Sequence, residues 1–326
     1  MDARPRRGPP AHPRLGLAAL SRILVVNAGS TSFKLSVVDG DGAAAPVTSL
    51  RAPPEGIAAA GHRVVHGGAR FRDPVAIDDE VTLAIRELSS LAPLHNAPAL
   101  RAIAEARRAL PHVPHVAVFD TAFHATIPEE AATYALPRRW RVEWGIRRYG
   151  FHGLAVASVA EQVRVRRLVV CHLGGGCSVT AVLDGRSVDT TMGFSPLEGV
   201  PMATRSGSVD PGAILYLLRD HSLTVEQLDH ELEYRSGLLA LGGLDDPLGF
   251  GVYTYRIAQA AAAMVMALGG IDAVAFSGGV GENREDVRRS ITNKLAYLGE
   301  FRTEVVPARE DVVVARAVRA LLAASL

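Results

Sequence analysis

Apolar runs of two kinds follow one another along the chain and predict its secondary structure. Two short runs at 23–26 and 35–38 flank the polar stretch "NAGSTSFK", which predicts two strands joined by a loop. The short runs at 116–120 and 273–277 also predict strands. Apolar residues at helical spacing predict helices at 79–91, 96–110, 251–268, 284–298 and 310–324. This alternation of strands and helices favours an α/β fold with a mixed sheet.

The first pair of predicted strands is repeated later in the chain. "RILVVNAGSTSFKLSVVDG" (22–40) aligns without a gap with "RLVVCHLGGGCSVTAVLDG" (167–185), and both copies contain strand, glycine-bearing loop, strand and Asp-Gly turn. This order describes a hairpin that runs into a third strand. We interpret the repeat as a duplication that gives two related α/β domains, 22–150 and 151–326. The Arg- and Pro-rich residues 1–21 are expected to be a disordered extension or to precede the true start.

Composition and charge exclude several classes of protein. The chain has 48% apolar and 21% charged residues, as ordinary globular proteins do. Its 35 basic and 34 acidic residues nearly cancel, which argues against nucleic acid or an anionic membrane surface as the main partner. Cys171 and Cys177 are the only cysteines, so a disulfide framework is excluded and a cytoplasmic location is expected. The most apolar stretch, 258–276, is interrupted by Gly269 and Gly270, so no membrane span is expected.

Three loops have the character of phosphate-binding loops. They are 27–34, "HLGGGCS" at 172–178 and "FSGGVGENREDVRRSI" at 276–291, where glycines and small polar residues let backbone N–H groups approach an anion. In the third loop we expect Asn283 to be the N-cap of a helix that points its N-terminus at the anion. For each loop alone, a plain turn is the alternative. The dinucleotide pattern GxGxxG is absent from the sequence, which disfavours a Rossmann oxidoreductase.

A few single residues stand where chemistry is expected. Arg63 lies in an apolar strand that ends at a glycine pair, and a buried guanidinium needs an anion. Arg205 lies in a long irregular stretch, and a structural salt bridge is the alternative for either arginine. His152 lies between an aromatic residue and a glycine near the expected domain junction, where a structural hydrogen bond is the alternative. Asp120 ends a predicted strand, and Glu310 opens the last predicted helix.

A series of longer motifs occurs in order: "VVNAGSTSFK", "HRVVHGG", "LAPLHN", "VFDTAFH", "RRYGFHG", "HLGGG", "TTMGFSPLEG", "TRSG", "FSGGVGEN" and "VPAREDVVVA". In these motifs, from residue 23 to the C-terminus, the chain resembles the acetokinase family. The resemblance implies the superfold of acetate and sugar kinases, Hsp70 and actin. The implied fold class is α/β, a duplicated two-domain ribonuclease H-like (actin-like ATPase) fold with a mixed sheet and flanking helices in each domain. Residues 22–150 would then form the acetate and phosphoryl side, and 151–326 the nucleotide side.

The resemblance also implies roles for the residues that match the motifs. Those implied to be catalytic are Arg63, Asp120 (the catalytic acid), His152 (a transition-state stabiliser) and Arg205. Those implied to bind the acyl substrate are Arg63, Val65, Leu94, Phe151 and Pro196. Those implied to bind the nucleotide are Ser30, Ser32, Lys34, His172, Leu173, Gly174, Gly175, Gly176, Asp246, Gly279, Val280, Gly281, Glu282 and Asn283. The residues implied to hold the metal are Asn27 and Glu310.

The implied activity is reversible phosphoryl transfer from ATP to acetate by in-line displacement, giving acetyl phosphate and ADP. Such transfer rests on positioning and on neutralising charge, which arginines and Mg²⁺ (or Mn²⁺) supply. The implied partners are acetate, ATP and a second copy bound through the C-terminal domain, with no nucleic acid and no membrane. A propionate or butyrate kinase of the same family is an alternative, although Val65 favours the smaller acid. A catalytically impaired nucleotide-binding regulator on the same fold is another.

The chain departs from the family pattern in several places. It is shorter, with little between residues 50 and 61 and no helical insertion after "SGLL". The family's Asp-x-Arg contact with the adenine nucleotide is missing: Asp245 or Asp246 can replace the aspartate, but no arginine follows two residues later. Gly175 stands where the family has asparagine, and Ser208 where it has aspartate. These departures bear on nucleotide identity, nucleotide affinity and the dimer contact.

Overall fold

The computed structural model describes residues 21–28, 33–90 and 93–325. In this part of the chain the strands form two sheets. The strands of the first sheet are β1 (Ile23–Ala28), β2 (Phe33–Val38), β3 (Ala44–Val47), β4 (Ala59–Val64), β5 (Val75–Ala76) and β6 (His115–Phe119). Those of the second are β7 (Arg167–Leu173), β8 (Cys177–Leu183), β9 (Arg186–Thr190), β10 (Ala273–Ser277) and β11 (Arg302–Val305).

The two sheets share one topology. The first has the order β3-β2-β1-β4-β6-β5 and the second the order β11-β10-β7-β8-β9. In each, an antiparallel meander (β1–β3 or β7–β9) is extended by strands parallel to its first member (β4 and β6, or β10 and β11). The first sheet adds the antiparallel edge strand β5. The predicted duplication and the mixed α/β fold are therefore confirmed.

Helices cover the faces of both sheets and connect their strands. They are α1 (Asp79–Glu87), α2 (Pro93–Ala109), α3 (Glu129–Ala132), α4 (Arg138–Val142), α5 (Gly153–Val163), α6 (Pro211–Asp220), α7 (Val225–Tyr234), α8 (Gly237–Ala240), α9 (Pro247–Leu268), α10 (Gly278–Asn283), α11 (Glu285–Lys294) and α12 (Glu310–Ala324). Local sequence explains several of their ends. Asp78 caps α1 through a bond from Val81 N, and Thr224 with Gln227 forms a capping box on α7. Gly269 ends α9 with φ +64, a conformation that favours glycine.

The last helix of the chain packs on the first sheet. Val314 and Val318 of α12 join the apolar cluster that holds Ile23 of β1. Gly61 of β4 permits this close approach, since an added Cβ would lie 2.6 Å from Val314 Cγ1. Glu310 is the first residue of α12, so this packing carries it to the end of β1. The predicted domain division at residue 150 stays a proposal.

The predicted elements agree with the structure to within a few residues. The strand at 273–277 and the helix at 310–324 are found as predicted. The strand predicted at 116–120 lies one residue earlier, at His115–Phe119. The helix predicted at 79–91 ends at Glu87 and continues as a 3-10 turn. None of the helices in the described ranges combines the length and the apolar character needed to cross a bilayer.

Candidate active site

The strand ends of the first sheet carry a cluster of polar side chains. Asn27 and Arg63 lie side by side in the parallel strands β1 and β4, and Asp120 directly follows β6. Arg63 donates hydrogen bonds from Nε and Nη2 to the two Asp120 oxygens, at 3.1 Å and 2.5 Å. Its Nη1 donates to Asn27 Oδ1 at 3.1 Å. Asn27 Nδ2 in turn donates to Glu310 Oε2 at 2.9 Å, so α12 completes the cluster.

Two carboxylates in this cluster share one guanidinium. Besides its bonds to Asp120, Arg63 Nε lies 3.8 Å from Glu310 Oε2. Burial raises the pKa of the fully buried Asp120 to about 6, against the opposing charge of Arg63, and the Glu310 carboxylate adds to the rise. At Glu310 burial acts in the same direction, but Arg63, His172 and the Asn27 hydrogen bond outweigh it and hold its pKa below the ordinary value. Glu310 is therefore ionised at neutral pH.

His152 faces this cluster from the start of α5. Its backbone has φ 60 and ψ 20, a left-handed conformation that costs a non-glycine residue on the order of 1 kcal/mol. The ring Nδ1 lies 3.1 Å from Ser178 Oγ, and the ring stacks edge-on against His172 with centroids 4.8 Å apart. Burial, together with the charges of His172, Arg63 and Arg205, holds the pKa of His152 well below its ordinary value, so the imidazole is neutral at neutral pH.

Arg205 approaches His152 from the long segment between β9 and α6. Its Nε donates to the buried Glu233 Oε2 at 2.7 Å, which fixes the guanidinium. A Cβ added at Gly176 would lie 3.6 Å from Arg205 Nη1 and 3.0 Å from His152 Nε2. Both side chains therefore face the second predicted phosphate loop, and a residue larger than glycine at 176 would crowd them.

The two glycine loops of the second sheet lie beside each other. Gly174 follows β7, and a Cβ added there would lie 3.8 Å from Gly279 N, near the start of α10. Asn283 is not the N-cap that the sequence predicts, because it is the last residue of α10 and its Nδ2 donates to Gly279 O at 2.8 Å. The prediction was wrong because Gly278, with φ +77, turns the chain directly out of β10, and the helix already begins there.

A cleft with a volume of about 700 Å³ opens beside the cluster, within the size range of small-molecule sites. Its lining includes Asn27 and Lys34 of the first sheet, His172 of the second, Glu282 of α10 and Glu310 of α12. His172 Nδ1 lies 2.9 Å from Ser277 Oγ, which orients the ring at the edge of the cleft. The cleft thus extends from Asn27 and Glu310 to His172 and Gly278, where the two glycine loops of the second sheet begin.

Comparison with known proteins identifies the relatives of this chain. The sequence model of the acetokinase family matches residues 47–312. The chain belongs to the acetokinase family. Acetate kinase of Protochlamydia amoebophila is 47% identical over 259 residues, which cover 73% of this chain and 65% of that protein. Acetate kinase of Nostoc punctiforme is 45% identical over 263 residues, with the same coverage of 73% and 65%.

Solved structures of acetokinases share the fold. The propionate kinase from Francisella tularensis superposes with a TM-score of 0.84 at 30% identity, covering 91% of this chain and 98% of that one. Porphyromonas gingivalis acetate kinase superposes with a TM-score of 0.79 at 28% identity, covering 93% and 100%. These neighbours confirm the actin-like fold class. The matched part spans about 65% of the length of the two curated relatives.

The other site residues that the acetokinase resemblance implies lie in different environments. Val65 and Phe151 are buried in one apolar cluster, and Pro196 is buried in the segment after β9. The side chain of Leu94, together with Ser30 and Ser32, lies outside the described residues. Asp246 is the N-cap of α9, where its Oδ1 accepts from Leu248 N and Gly249 N at 2.8 and 3.2 Å. Those bonds give it a structural role beside the predicted nucleotide contact.

The sequence did not single out several residues that hold the side chains of this site in place. Glu233 fixes Arg205, Ser178 contacts His152, and His124 lies 2.9 Å from Phe151 O. His124 and Ser178 fall within quoted motifs, but only the folded chain shows which atoms they contact. Asp245 also has an arginine partner after all: Arg284 Nη1 donates to its Oδ1 at 3.2 Å from the start of α11.

Proposed function

We propose that the chain catalyses reversible phosphoryl transfer from ATP to acetate, giving acetyl phosphate and ADP by in-line displacement. The observation that carries the proposal is the Asn27–Arg63–Asp120–Glu310 cluster, whose members Asn27 and Glu310 line one cleft with His172 and Gly278, where the two glycine loops begin. Cationic donors, an ionised carboxylate and exposed backbone N–H groups are the parts that phosphoryl transfer requires. The names of the relatives support the same reaction.

Arg63 and Arg205 neutralise the charge that spreads over the transferring group, and His152 stabilises it by a hydrogen bond. The two guanidiniums hold the acceptor carboxylate and the phosphoryl oxygens, and each is fixed by a carboxylate, Asp120 or Glu233. The neutral His152 has Nδ1 3.1 Å from Ser178 Oγ, and the proposal assigns the ring proton to Nε2, which then donates a hydrogen bond to a phosphoryl oxygen. Prior fixation of these donors keeps the reorganisation during transfer small.

The acceptor carboxylate needs no strong base. A carboxylic acid is already ionised at neutral pH and attacks the phosphorus directly. Asp120 therefore acts first by orienting Arg63 through two hydrogen bonds. Its pKa of about 6 also lets it hold or release a proton near neutral pH, in keeping with the acid implied by the resemblance.

The donor set at the end of β1 suits Mg²⁺. Glu310 is ionised, Asn27 has an amide oxygen that also accepts from Arg63 Nη1, and hard divalent cations prefer oxygen ligands. Among the described residues, no three His, Cys, Asp or Glu side chains converge as a metal cluster. Mg²⁺ suits such a site because it keeps several waters and takes one or two protein ligands. Bound there, Mg²⁺ or Mn²⁺ would neutralise charge on the nucleotide phosphates.

Acetate is the proposed acceptor, and propionate is the second candidate. Val65 and Phe151 lie in one buried apolar cluster, and in this proposal they supply the apolar contact for a short acyl chain. An apolar pocket discriminates one methylene by only about 10–200-fold, so propionate is expected to react more slowly. The structural similarity to a propionate kinase favours keeping this candidate.

We also propose a division of labour between the sheets. The Arg63 cluster belongs to 22–150 and would hold acetate and the phosphoryl group, whereas the glycine loops belong to 151–326 and would hold ATP. A homodimer through the second half is supported by α6, which reads "PGAILYLLRD" and has no buried residue. A cytoplasmic location is supported by Cys171 and Cys177, which are both free thiols.

Hydroxylamine trapping tests the reaction and separates its alternatives. Acyl hydroxamate is measured with Mg-ATP and acetate, propionate or butyrate. The proposal predicts product with all three in the order acetate, propionate, butyrate. A preference for propionate would favour the second candidate. ATP binding without any hydroxamate would instead support a nucleotide-binding regulator on this fold.

A further inference from the structure

The strained backbone of His152 is enclosed by its neighbours. Gly150 packs on the ring of His124, since an added Cβ would lie 2.6 Å from His124 Cγ. Gly153 packs on Asp120, where an added Cβ would lie 2.0 Å from the carbonyl oxygen. A left-handed residue persists only where its surroundings determine it, so these contacts hold His152 in place.

His124 holds the peptide group between these glycines. It is fully buried in the 3-10 turn Ala122–Thr126, its Nε2 lies 2.9 Å from Phe151 O, and its Nδ1 lies 2.8 Å from Ser187 Oγ. A carbonyl oxygen only accepts, so Nε2 carries the proton and donates to it, while Nδ1 accepts from Ser187. Burial lowers the pKa of His124 to about 4, so this single tautomer persists at neutral pH.

We propose that His124 is a positioning residue for His152: its Nε2–H fixes the Phe151 carbonyl and thereby aims the His152 imidazole at the glycine loop and Arg205. The inference rests on the proposed function for its kinetic consequence, but the positioning itself does not. Ser187 of β9 orients the His124 ring, so His124 links the turn after β6 to the second sheet.

Two amide substitutions distinguish the roles of the two ring nitrogens of His124. His124→Gln places an N–H donor near the position of Nε2, whereas the shorter His124→Asn reaches only the position of Nδ1. Thr126→Val is the matched control, because it removes the bond from Thr126 Oγ1 to Ser187 O, which joins the same turn to the same strand, and leaves Phe151 untouched. A purely structural role for His124 would make the Gln and Asn variants equally defective.

The variants of His124 should differ in kcat. His124→Asn should lower kcat by about 10²-fold with an unchanged KM for ATP, the size expected for a misplaced group. His124→Gln should recover most of kcat, and Thr126→Val should retain it. In a His152→Ala background, His124→Asn should lower kcat by less than about 2-fold, because both changes act through one group. The proposal would be overturned if His124→Asn lowered kcat by the same factor in the His152→Ala background as in the wild type. It would also be overturned if His124→Gln and His124→Asn lowered kcat equally.

A spectroscopic measurement decides the positioning independently of activity. In histidine-labelled protein, the His152 imidazole ¹⁵N signals are assigned by their loss in His152→Gln. We expect them to shift in His124→Asn and to stay in place in Thr126→Val and His124→Gln. Unchanged signals in His124→Asn would refute the positioning role. Wild-type protein that makes no acyl phosphate would refute the proposed function, while the ¹⁵N signals would still decide the role of His124.

Discussion

Asn27 Nδ2 donates a hydrogen bond to Glu310 Oε2 at 2.9 Å, although 283 positions separate the two residues in the chain. The contact forms because α12 packs on the first sheet and starts beside the end of β1. It keeps the Glu310 carboxylate at the edge of the cleft that opens toward the glycine loops.

Removing this carboxylate should weaken the use of Mg²⁺. Glu310→Gln keeps the shape of the side chain but loses the charge that attracts a cation. We expect the Mg²⁺ concentration for half-maximal rate to rise by about 10–100-fold, as for the loss of a group that supports a metal. The measurement is a Mg²⁺ titration of the initial rate at saturating ATP. Glu304→Gln on β11 is the matched control, because Glu304 pairs with Arg302 outside the cleft; an equal shift in both variants would contradict the assignment.

Arg205 should be needed for turnover but not for folding. Arg205→Ala removes a guanidinium aimed at the phosphoryl group, and we expect kcat to fall by about 10³-fold. Glu233 is then left buried without its Arg205 Nε partner, so a modest loss of thermal stability is also expected. Arg235→Ala, which loses only an exposed pair with Glu231, is the control and should keep wild-type kcat. Near-normal turnover of Arg205→Ala would exclude Arg205 from the site.

The stabilisation that the protonated Asp120 carboxyl gives the folded state should decrease as the pH rises. Its pKa is raised from 3.8 to about 6, so between these values the native state binds the proton more tightly than the unfolded state. The stabilisation is complete below pH 3.8 and is lost as the pH rises through 6, by up to about 3 kcal/mol. The free energy of unfolding of wild type minus that of Asp120→Asn, measured by urea denaturation from pH 4 to 7, should therefore decrease. An increase would mean that the Arg63 ion pair lowers the pKa of Asp120 instead.

The exposed apolar residues of α6 should form the proposed dimer contact. Leu215 and Tyr216 are 54% and 51% exposed, and a helix with this composition ordinarily buries one face. Leu215→Asp should convert a dimer to a monomer in sedimentation velocity. Leu83→Asp on α1, equally exposed at 55%, is the control and should leave the oligomeric state unchanged. A wild-type monomer, or a dimer that survives Leu215→Asp, would contradict this contact.

The sequence predicted the local parts of this fold well and the long-range parts in outline. The gapless repeat predicted the hairpins β1–β2 and β7–β8 and the third strand that follows each Asp-Gly turn, because short strands, glycine-bearing loops and Asp-Gly turns are local features. The N-cap at Asn283 was wrong, because a glycine at positive φ can begin a helix without a capping side chain.

The candidate residues were identified singly, but their partners were not. Glu310 appeared in the sequence as a favourable first-turn acid, and only the packing of α12 brings it to Asn27. No sequence pattern marked Glu233 or His124, because the role of a buried acid or histidine depends on the atom it contacts in the folded chain. Side-chain pairs across a sheet or between sheets depend on tertiary packing, which local patterns do not encode.

The central claim is that the cluster around Arg63 and the glycine loops form one phosphotransfer site. ³¹P NMR of purified protein with Mg-ATP and acetate tests it most directly, because the products appear in the same spectrum. The account predicts that acetyl phosphate and ADP form in equal amounts, and that Arg63→Ala forms neither at a measurable rate. ADP that accumulates with inorganic phosphate alone, or no reaction by the wild-type protein, would contradict it.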